Sequence, residues 1–426
     1  MLGAIVAIFV IAYALIALES PIKVNKSASA LIGAGLLWTV YALWRGDNAL
    51  LDRELNEAVS STAQIVFFLI GAMTIVEVID AHNGFVVITS LIRTRKQVTL
   101  MWLVGFVTFF LSAILDNMTT TIVMVSLMRK LLGNPSDRLL FASMIVIAAN
   151  AGGAWSAIGD VTTTMLWIGG QITPVAIVKG VFLAALANLV VPLLAATSFL
   201  KGKQIVAPRD LDGAPSRMRP IERNLIFYMG LGILVLVPAF KTATHLPPFM
   251  GILFGLGILW LVGEILHRDK VDEEKRPLTL IHALTRIDMS SIVFFIGILL
   301  AVAVLEKSQV LAMLANWLDA TVGRQDAIVV LLGLLSAVVD NVPLVAASMG
   351  MYSLSQYPPD SFLWEFVAYC AGTGGSILII GSASGVAAMG LEKIEFFWYV
   401  RRITGFALLG YFSGVAVYIV QYRLMH

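Results

Sequence analysis

Leu111–Asn117 reads LSAILDN and Leu335–Asn341 reads LSAVVDN, five of seven positions identical in opposite halves of the chain. Each copy sits inside a long apolar run. A charged side chain at the centre of a bilayer costs roughly 2.5 to 3.5 kcal/mol on insertion scales. A costly Asp-Asn pair that recurs in the same surroundings marks a duplicated feature with a purpose. Outward from it, GGAWSAIG (Gly152–Gly159) is matched by GGSILIIG (Gly374–Gly381). Upstream, IVFFLIG (Ile65–Gly71) is matched, with a one-residue gap, by IVFFIG (Ile292–Gly297). Three blocks in one order and at nearly one offset define an internal repeat.

The rest of the composition says where such a repeat can live. Of 426 residues, 59% are hydrophobic and 13% charged, and mean hydropathy is +0.89. Apolar runs of roughly 17 to 25 residues match a hydrocarbon core of about 30 Å. Twelve such elements are predicted, at 2–18, 27–45, 64–91, 97–131, 138–169, 173–199, 223–240, 247–266, 288–305, 326–353, 361–390 and 396–422. The segment 2–18 lacks a basic leader and is expected to be retained as a span. A net charge of +2 argues against nucleic acid as a partner, and a single Cys370 excludes an intramolecular disulfide and any ordinary thiol metal site. His245, His267 and His282 read as solvated loop residues.

Lys and Arg orient membrane spans. Lys23, Lys26, Arg93, Arg95, Lys96, Arg129, Lys130 and Arg138, with the polar stretches 201–223 and 267–286, read as cytoplasmic. The 46–63 segment, carrying Asp47, Asp52, Glu54 and Glu57, reads as an external loop. Basic residues flank 97–131 at both ends, so this run is expected to enter and leave on one side as a re-entrant hairpin of two half-length helices. The 326–353 run is its counterpart from the opposite face. The expected fold is an all-α polytopic membrane protein of two inverted repeats, each with five membrane-crossing helices, one of them broken, and one hairpin. The first repeat covers 1–199 (hairpin 97–131, broken helix 138–169). A cytoplasmic linker covers 200–222, and the second repeat covers 223–426 (hairpin 326–353, broken helix 361–390). Both termini are expected outside, and an odd number of crossings per unit inverts the copies.

The acids buried in these runs need a task. Asp116 and Asp340 lie mid-hairpin and Asp160 mid-run, among the neutral oxygens of Asn117, Thr119, Thr120, Thr121, Asn150, Ser156, Thr162, Thr163, Thr164, Asn341, Thr373, Ser376, Ser382 and Ser384. Carboxylates, amides, hydroxyls and carbonyls freed at the Gly-rich breaks are hard ligands suited to Na⁺, with Asp116, Asn117, Asp340 and Asn341 as the expected Na⁺ set. Broken backbone is tolerated at membrane depth where it lines a cavity. Desolvation and a like-charged neighbour disfavour ionisation, Na⁺ favours it, and protons compete for the same oxygens. That competition predicts Na⁺/H⁺ exchange with no cofactor. Each Asp has a structural alternative as a half-helix cap, and Asp160 precedes a TTT segment it could cap. Glu77 and Asp288 are secondary candidates.

The pairs LSAILDNMTTT and VVDNVPLVAA, each followed by a Gly-rich break (NAGGAWSAIGDVTTT and GTGGSILIIGSASG), resemble the NhaD-type sodium/proton antiporters. These belong to the ion transporter superfamily, which also holds arsenite efflux pumps and sodium/dicarboxylate symporters. The resemblance covers essentially the whole chain. It implies exchange of Na⁺, and Li⁺ with it, for H⁺ by an elevator-type transport domain on a dimerised scaffold in a bacterial inner membrane. It also implies ion or proton handling by Ser112, Asp116, Asn117, Asn150, Asp160, Thr162, Thr163, Ser336, Asp340, Asn341, Ser376 and Ser382. The symporter branch typically carries Ser-Asn-Thr at the tips, so Asp-Asn favours cation chemistry. Ser382 stands where the first repeat has Asp160, which makes Asp160 the candidate for an extra proton.

Two other readings compete. A metalloid or oxyanion carrier of the same fold would want basic residues at the tips, and neither tip has Lys or Arg. An intramembrane aspartyl protease would share one proton between two aspartates, but has no use for an inverted duplication, so no enzyme is expected.

Overall fold

The computed structural model describes residues 2–17, 19–89, 94, 96–205 and 219–425. The basic residues Arg93 and Arg95, most of the 200–222 linker and the terminal residues used to orient the chain lie outside them. Among the described residues the fold is all-α, with a lone bridge between Lys96 and Gln204.

The first half runs α1 (Leu2–Ala17), α2 (Lys26–Arg45), α3 (Asn48–Ala81), α4 (Gln97–Leu115), α5 (Asn117–Leu131), α6 (Pro135–Ala154), α7 (Val161–Ile168) and α8 (Pro174–Leu200). The second runs α9 (Pro220–Thr244), α10 (Pro248–His267), α11 (Met289–Lys307), α12 (Val310–Val322), α13 (Gln325–Leu335), α14 (Asn341–Met351), α15 (Phe362–Gly374), α16 (Ala383–Glu392) and α17 (Thr404–Met425). Apart from α12, the order repeats: three helices, a hairpin, a broken helix and a closing helix. Local chemistry fixes the starts. Asn25, Asp47, Asn134 and Thr173 cap α2, α3, α6 and α8 with their side chains, and a proline opens α6, α8, α9 and α10. Eight of the described helices are long and apolar enough to cross a membrane. Large side chains such as Ile32, Leu43, Phe254 and Leu261 stand exposed on their outer faces, where lipid would cover them.

Three expectations are corrected. The 46–63 segment is not a loop: helix α3 starts at Asn48, because Asp47 caps it through Leu50 N at 3.1 Å and the exposed Arg53–Glu57 pair supports its first turns. The arms of the first hairpin are not both half-length. Helix α4 has 19 residues, about 28 Å at 1.5 Å per residue, because the apolar run before Asp116 is itself that long. His267 is not solvated. It is buried at the end of α10, and its Nε2 lies 2.8 Å from Nε2 of buried His82. Val78 O can only accept, so His82 Nδ1 donates to it at 2.7 Å, and a neutral His82 then takes the His267 Nε2 proton on its own Nε2.

Hairpin and break pack alike in both halves. Ser112 Oγ donates to Ala149 O at 2.6 Å, and Ser336 Oγ donates to Ala371 O at 2.9 Å. A Cβ on Gly159 would meet Ser112 O at 2.8 Å; one on Gly381 would meet Ala337 O at 2.6 Å and Ser336 O at 2.7 Å. Only glycine lets the two backbones approach so closely. The recurring LSA and GG strings are the two sides of this contact. The hairpins and broken helices cluster with α8 and α17, while α1–α3 and α9–α11 pack mainly on one another, α2 lying along α11 with Trp38 Nε1 donating to Leu300 O at 3.0 Å.

Candidate ion site

Each hairpin and each break ends one helix and starts another, so four half-helices begin in the interior. Their N-cap residues are Asp116 for α5, Asp160 for α7, Asp340 for α14 and Ser382 for α16. A helix N-terminus carries unsatisfied N–H groups and about half a positive charge. Four of them together would draw an anion, but two are already met by a carboxylate of the chain itself and a third has the Asp340 carboxylate at its N-cap position.

Asp160 is the hub. It is 2% exposed. Its Oδ1 accepts Thr162 N at 3.1 Å. Its Oδ2 accepts Asn117 Nδ2 at 2.8 Å and Asn341 Nδ2 at 3.2 Å, one amide from each hairpin tip. A second hub, buried Asn150, takes Asn117 Nδ2 at 3.0 Å and Ser384 Oγ at 2.7 Å on its Oδ1, and donates Nδ2 to Ser376 Oγ at 2.8 Å and Ser382 Oγ at 3.0 Å. The structure therefore joins Asn117, Asn150, Asp160, Asn341, Ser376, Ser382 and Ser384 into one buried network drawn from both repeats.

Other candidates stand at its edge. Asp116 sits at φ +90°, a conformation L-residues rarely adopt. Its carboxylate accepts Thr119 N at 2.8 Å and Thr119 Oγ1 at 2.9 Å. Asp340 makes no cap bond to its own helix, and its Oδ2 lies 2.9 Å from Lys26 Nζ. The two tip aspartates thus do not face each other, and Asp160 lies between them through the tip amides. Thr163 Oγ1 bonds Asp160 O and Thr373 Oγ1 bonds Tyr369 O, while Ser112 and Ser336 tie hairpin to break. The hydroxyls of Thr120, Thr121 and Thr162 are buried with no hydrogen-bond partner among the described residues. Such orphan oxygens are costly unless a ligand uses them. The secondary acids lie elsewhere: Glu77 pairs with Arg286 at 3.3 Å, and Asp288 caps α11 through Ser291 N at 3.1 Å.

A cavity of about 500 Å³, with Glu57, Gln64, Glu306 and Lys307 in its wall, opens between α3 and α11 on one side and Met165 of α7 and Met349 of α14 on the other. Asp160 and Asp340 stand at the N-cap positions of those same two half-helices. Among the described residues no three His, Cys, Asp or Glu side chains group as a metal centre; the network is built of amides and hydroxyls around the Asp160 carboxylate, a set of oxygen and amide groups.

Sequence reading missed Lys26, which it took for an orientation marker. The signal was available. Three residues after Asp116 comes Thr119, able to satisfy it; three after Asp340 comes Pro343, with neither N–H nor hydroxyl. An acid with no local partner calls for one from elsewhere.

Two inverted units meeting at a polar, glycine-broken centre define a secondary transporter. Comparison with known proteins narrows the class. The family model described as "Citrate transporter" (CitMHS) matches residues 13–372. "Sodium/proton antiporter 1" of Arabidopsis thaliana is 50% identical over 99% of this chain and 73% of its own length, and "Sodium/proton antiporter 2" of the same plant 47% over 98% and 99%. The "Na(+)/H(+) antiporter NhaD" of Vibrio cholerae is 31% identical over 97% of this chain and 90% of its own. Among solved structures, the Alcanivorax borkumensis YdaH transporter, described as having an unusual topology, superposes with a TM-score of 0.56 at 13% identity, covering 89% of this chain and 90% of that one, which establishes the shared fold. The chain belongs to the NhaD-type sodium/proton antiporters of the ion transporter superfamily.

Proposed function

We propose that this protein exchanges Na⁺, and Li⁺ with it, for H⁺ across the membrane by alternating access at the Asp160 network. The observation that carries the reading is one buried carboxylate oxygen accepting an amide N–H from each of two hairpin tips. With Nδ2 turned inward, Asn117 and Asn341 compensate the charge of Asp160. A half-turn of either amide presents Oδ1 instead, and the same side chain becomes a cation ligand. Na⁺ held by Asp160, the two amides and the unpartnered Thr120 and Thr162 hydroxyls would keep the carboxylate ionised. A proton would release the ion and leave a neutral site. Asp116 and Asp340 flank this centre as further proton or ion carriers. The cavity beside Met165 and Met349 supplies a way in, and the grouping of hairpins with broken helices suits a body that slides as an elevator against α1–α3 and α9–α11.

The test is dissipation of a preset pH gradient in proteoliposomes on adding Na⁺, Li⁺ or K⁺. Exchange with Na⁺ and Li⁺, abolished in Asp160→Asn, is the expected result; a gradient untouched by any of the three cations would sink the reading. Four helix N-termini pointing inward favour one rival, a carrier of organic or inorganic oxyanions. Three resident carboxylates oppose it by repulsion, and counterflow of a labelled tricarboxylate in the same vesicles decides between them.

A further inference from the structure

The three aspartates at half-helix starts differ in what holds them. Asp116 is satisfied by Thr119 of its own helix. Asp160 is satisfied by Thr162 N and the two tip amides. Asp340 has no bond to its own helix, because Pro343 stands where the first hairpin has Thr119. Its partner comes from 314 residues away: Lys26, the first residue of α2, with Nζ at 2.9 Å. The exposures of the two side chains are 20% and 12%.

The lysine is held in place from the scaffold side. Asn25 Nδ2 donates to Ser290 Oγ at 3.0 Å and Ser27 Oγ donates to Ser290 O at 2.7 Å, pinning the start of α2 to the start of α11. Lys26 N donates to Glu19 Oε1 at 3.1 Å, and the ammonium lies 4.5 Å from the centre of the Phe294 ring, a cation–π arrangement. Other charged and titratable groups within electrostatic reach are Glu19 and Asp288 for the lysine and Tyr13 and Asp160 for Asp340. An ammonium is a compact monovalent point charge, and a half-buried carboxylate facing one has little to gain from a second.

We propose that Lys26 is a tethered competitor of the transported cation: its ammonium neutralises Asp340 whenever that carboxylate holds neither Na⁺ nor H⁺, and so latches the second hairpin tip to the scaffold between ion-loaded states. This rests on the Na⁺/H⁺ reading above and adds a residue that sets apparent cation affinity. Lys26 is a positioning residue that acts through Asp340. Pro343 is what leaves Asp340 open to it.

The test measures the Na⁺ concentration giving half-maximal exchange, at fixed pH, for wild type, Lys26→Gln, Lys26→Arg and Pro343→Thr in proteoliposomes. Removing the competitor in Lys26→Gln is expected to lower half-saturation about tenfold. Lys26→Arg keeps a cation there and should stay within about threefold of wild type. Pro343→Thr, which lets Asp340 cap its own helix, should raise half-saturation several-fold. A purely structural lysine would lower the maximal rate or the yield of folded protein and leave half-saturation alone. Half-saturation in Lys26→Gln that is unchanged or raised overturns the proposal. Should that variant not fold, an unchanged half-saturation in Pro343→Thr overturns it equally. Wild-type vesicles with no Na⁺-driven proton movement reject the antiport reading itself, a result separable from both.

Discussion

At the tip of the first hairpin the residue three beyond the aspartate is Thr119; at the tip of the second it is Pro343. The rest of the two tips is closely alike. Both begin Leu-Ser-Ala, both end Asp-Asn, both send a serine hydroxyl to the backbone of the following broken helix, and both aim their asparagine at Asp160. Yet the first carboxylate turns back on its own helix and the second reaches across to Lys26. A duplicated scaffold thus produces two unlike acids through one residue. The breaks show the same pattern: Asp160 in one and Ser382 in the other cap corresponding half-helices. The repeat supplies geometry, and its departures from symmetry decide which group each acid meets.

That comparison can be broken in several places. The largest effect is expected from Asp160→Ala, which removes the acceptor shared by both tips and leaves two buried amides unpaired; Na⁺-dependent pH-gradient dissipation should drop at least about 100-fold, since losing a site's central charged partner costs several kcal/mol. Residual exchange above a tenth of wild type would place the centre elsewhere. Next comes the difference between the tips themselves. Asp340→Asn should lower exchange by roughly tenfold more than Asp116→Asn, because Asn still caps α5 whereas it cannot answer Lys26. Equal losses in the same assay would mean the Thr119/Pro343 asymmetry has no functional weight.

Two further changes probe what the halves share. Gly159→Ala and Gly381→Ala each push a Cβ against hairpin backbone at under 3 Å, and each should lose about 1 to 3 kcal/mol by thermal unfolding in detergent. Similar losses are expected from the pair; a shift in only one would show that the two hairpin–break contacts differ. The smallest effect belongs to Thr119→Ala, which deletes one hydrogen bond to Asp116 and should cost about 1 kcal/mol while the backbone bond from residue 119 keeps the cap. If unfolding is unaltered, Asp116 has found a partner other than its own helix.

Much of this arrangement was legible in the chain. The twelve apolar runs follow from the length a bilayer demands, and the repeated LSA…DN and GG…G strings mark the hairpin tips and breaks because only small residues fit where backbones cross. The 46–63 segment was misread because acidic composition was weighed above the Asp47 cap and the Arg53–Glu57 spacing, which are helix signals. His267 was misread because sequence distance hides a contact with His82, 185 positions away. The contact of Lys26 with Asp340 was missed for the same reason, since a basic residue at the end of an apolar run is ordinarily read for orientation.

Sequence alone determined that the chain is a membrane-embedded, duplicated all-α protein and that polar groups interrupt its two copies at matching places. Both facts follow from the free energy of putting charge and open backbone into hydrocarbon, a local quantity readable along one strand of text. Which acid answers to which partner was settled only in three dimensions. Asp160 gathers both asparagines, and Asp340 takes a lysine from the far end of the chain, because electrostatic pairing depends on distances of about 3 Å that the packing of both repeats creates together.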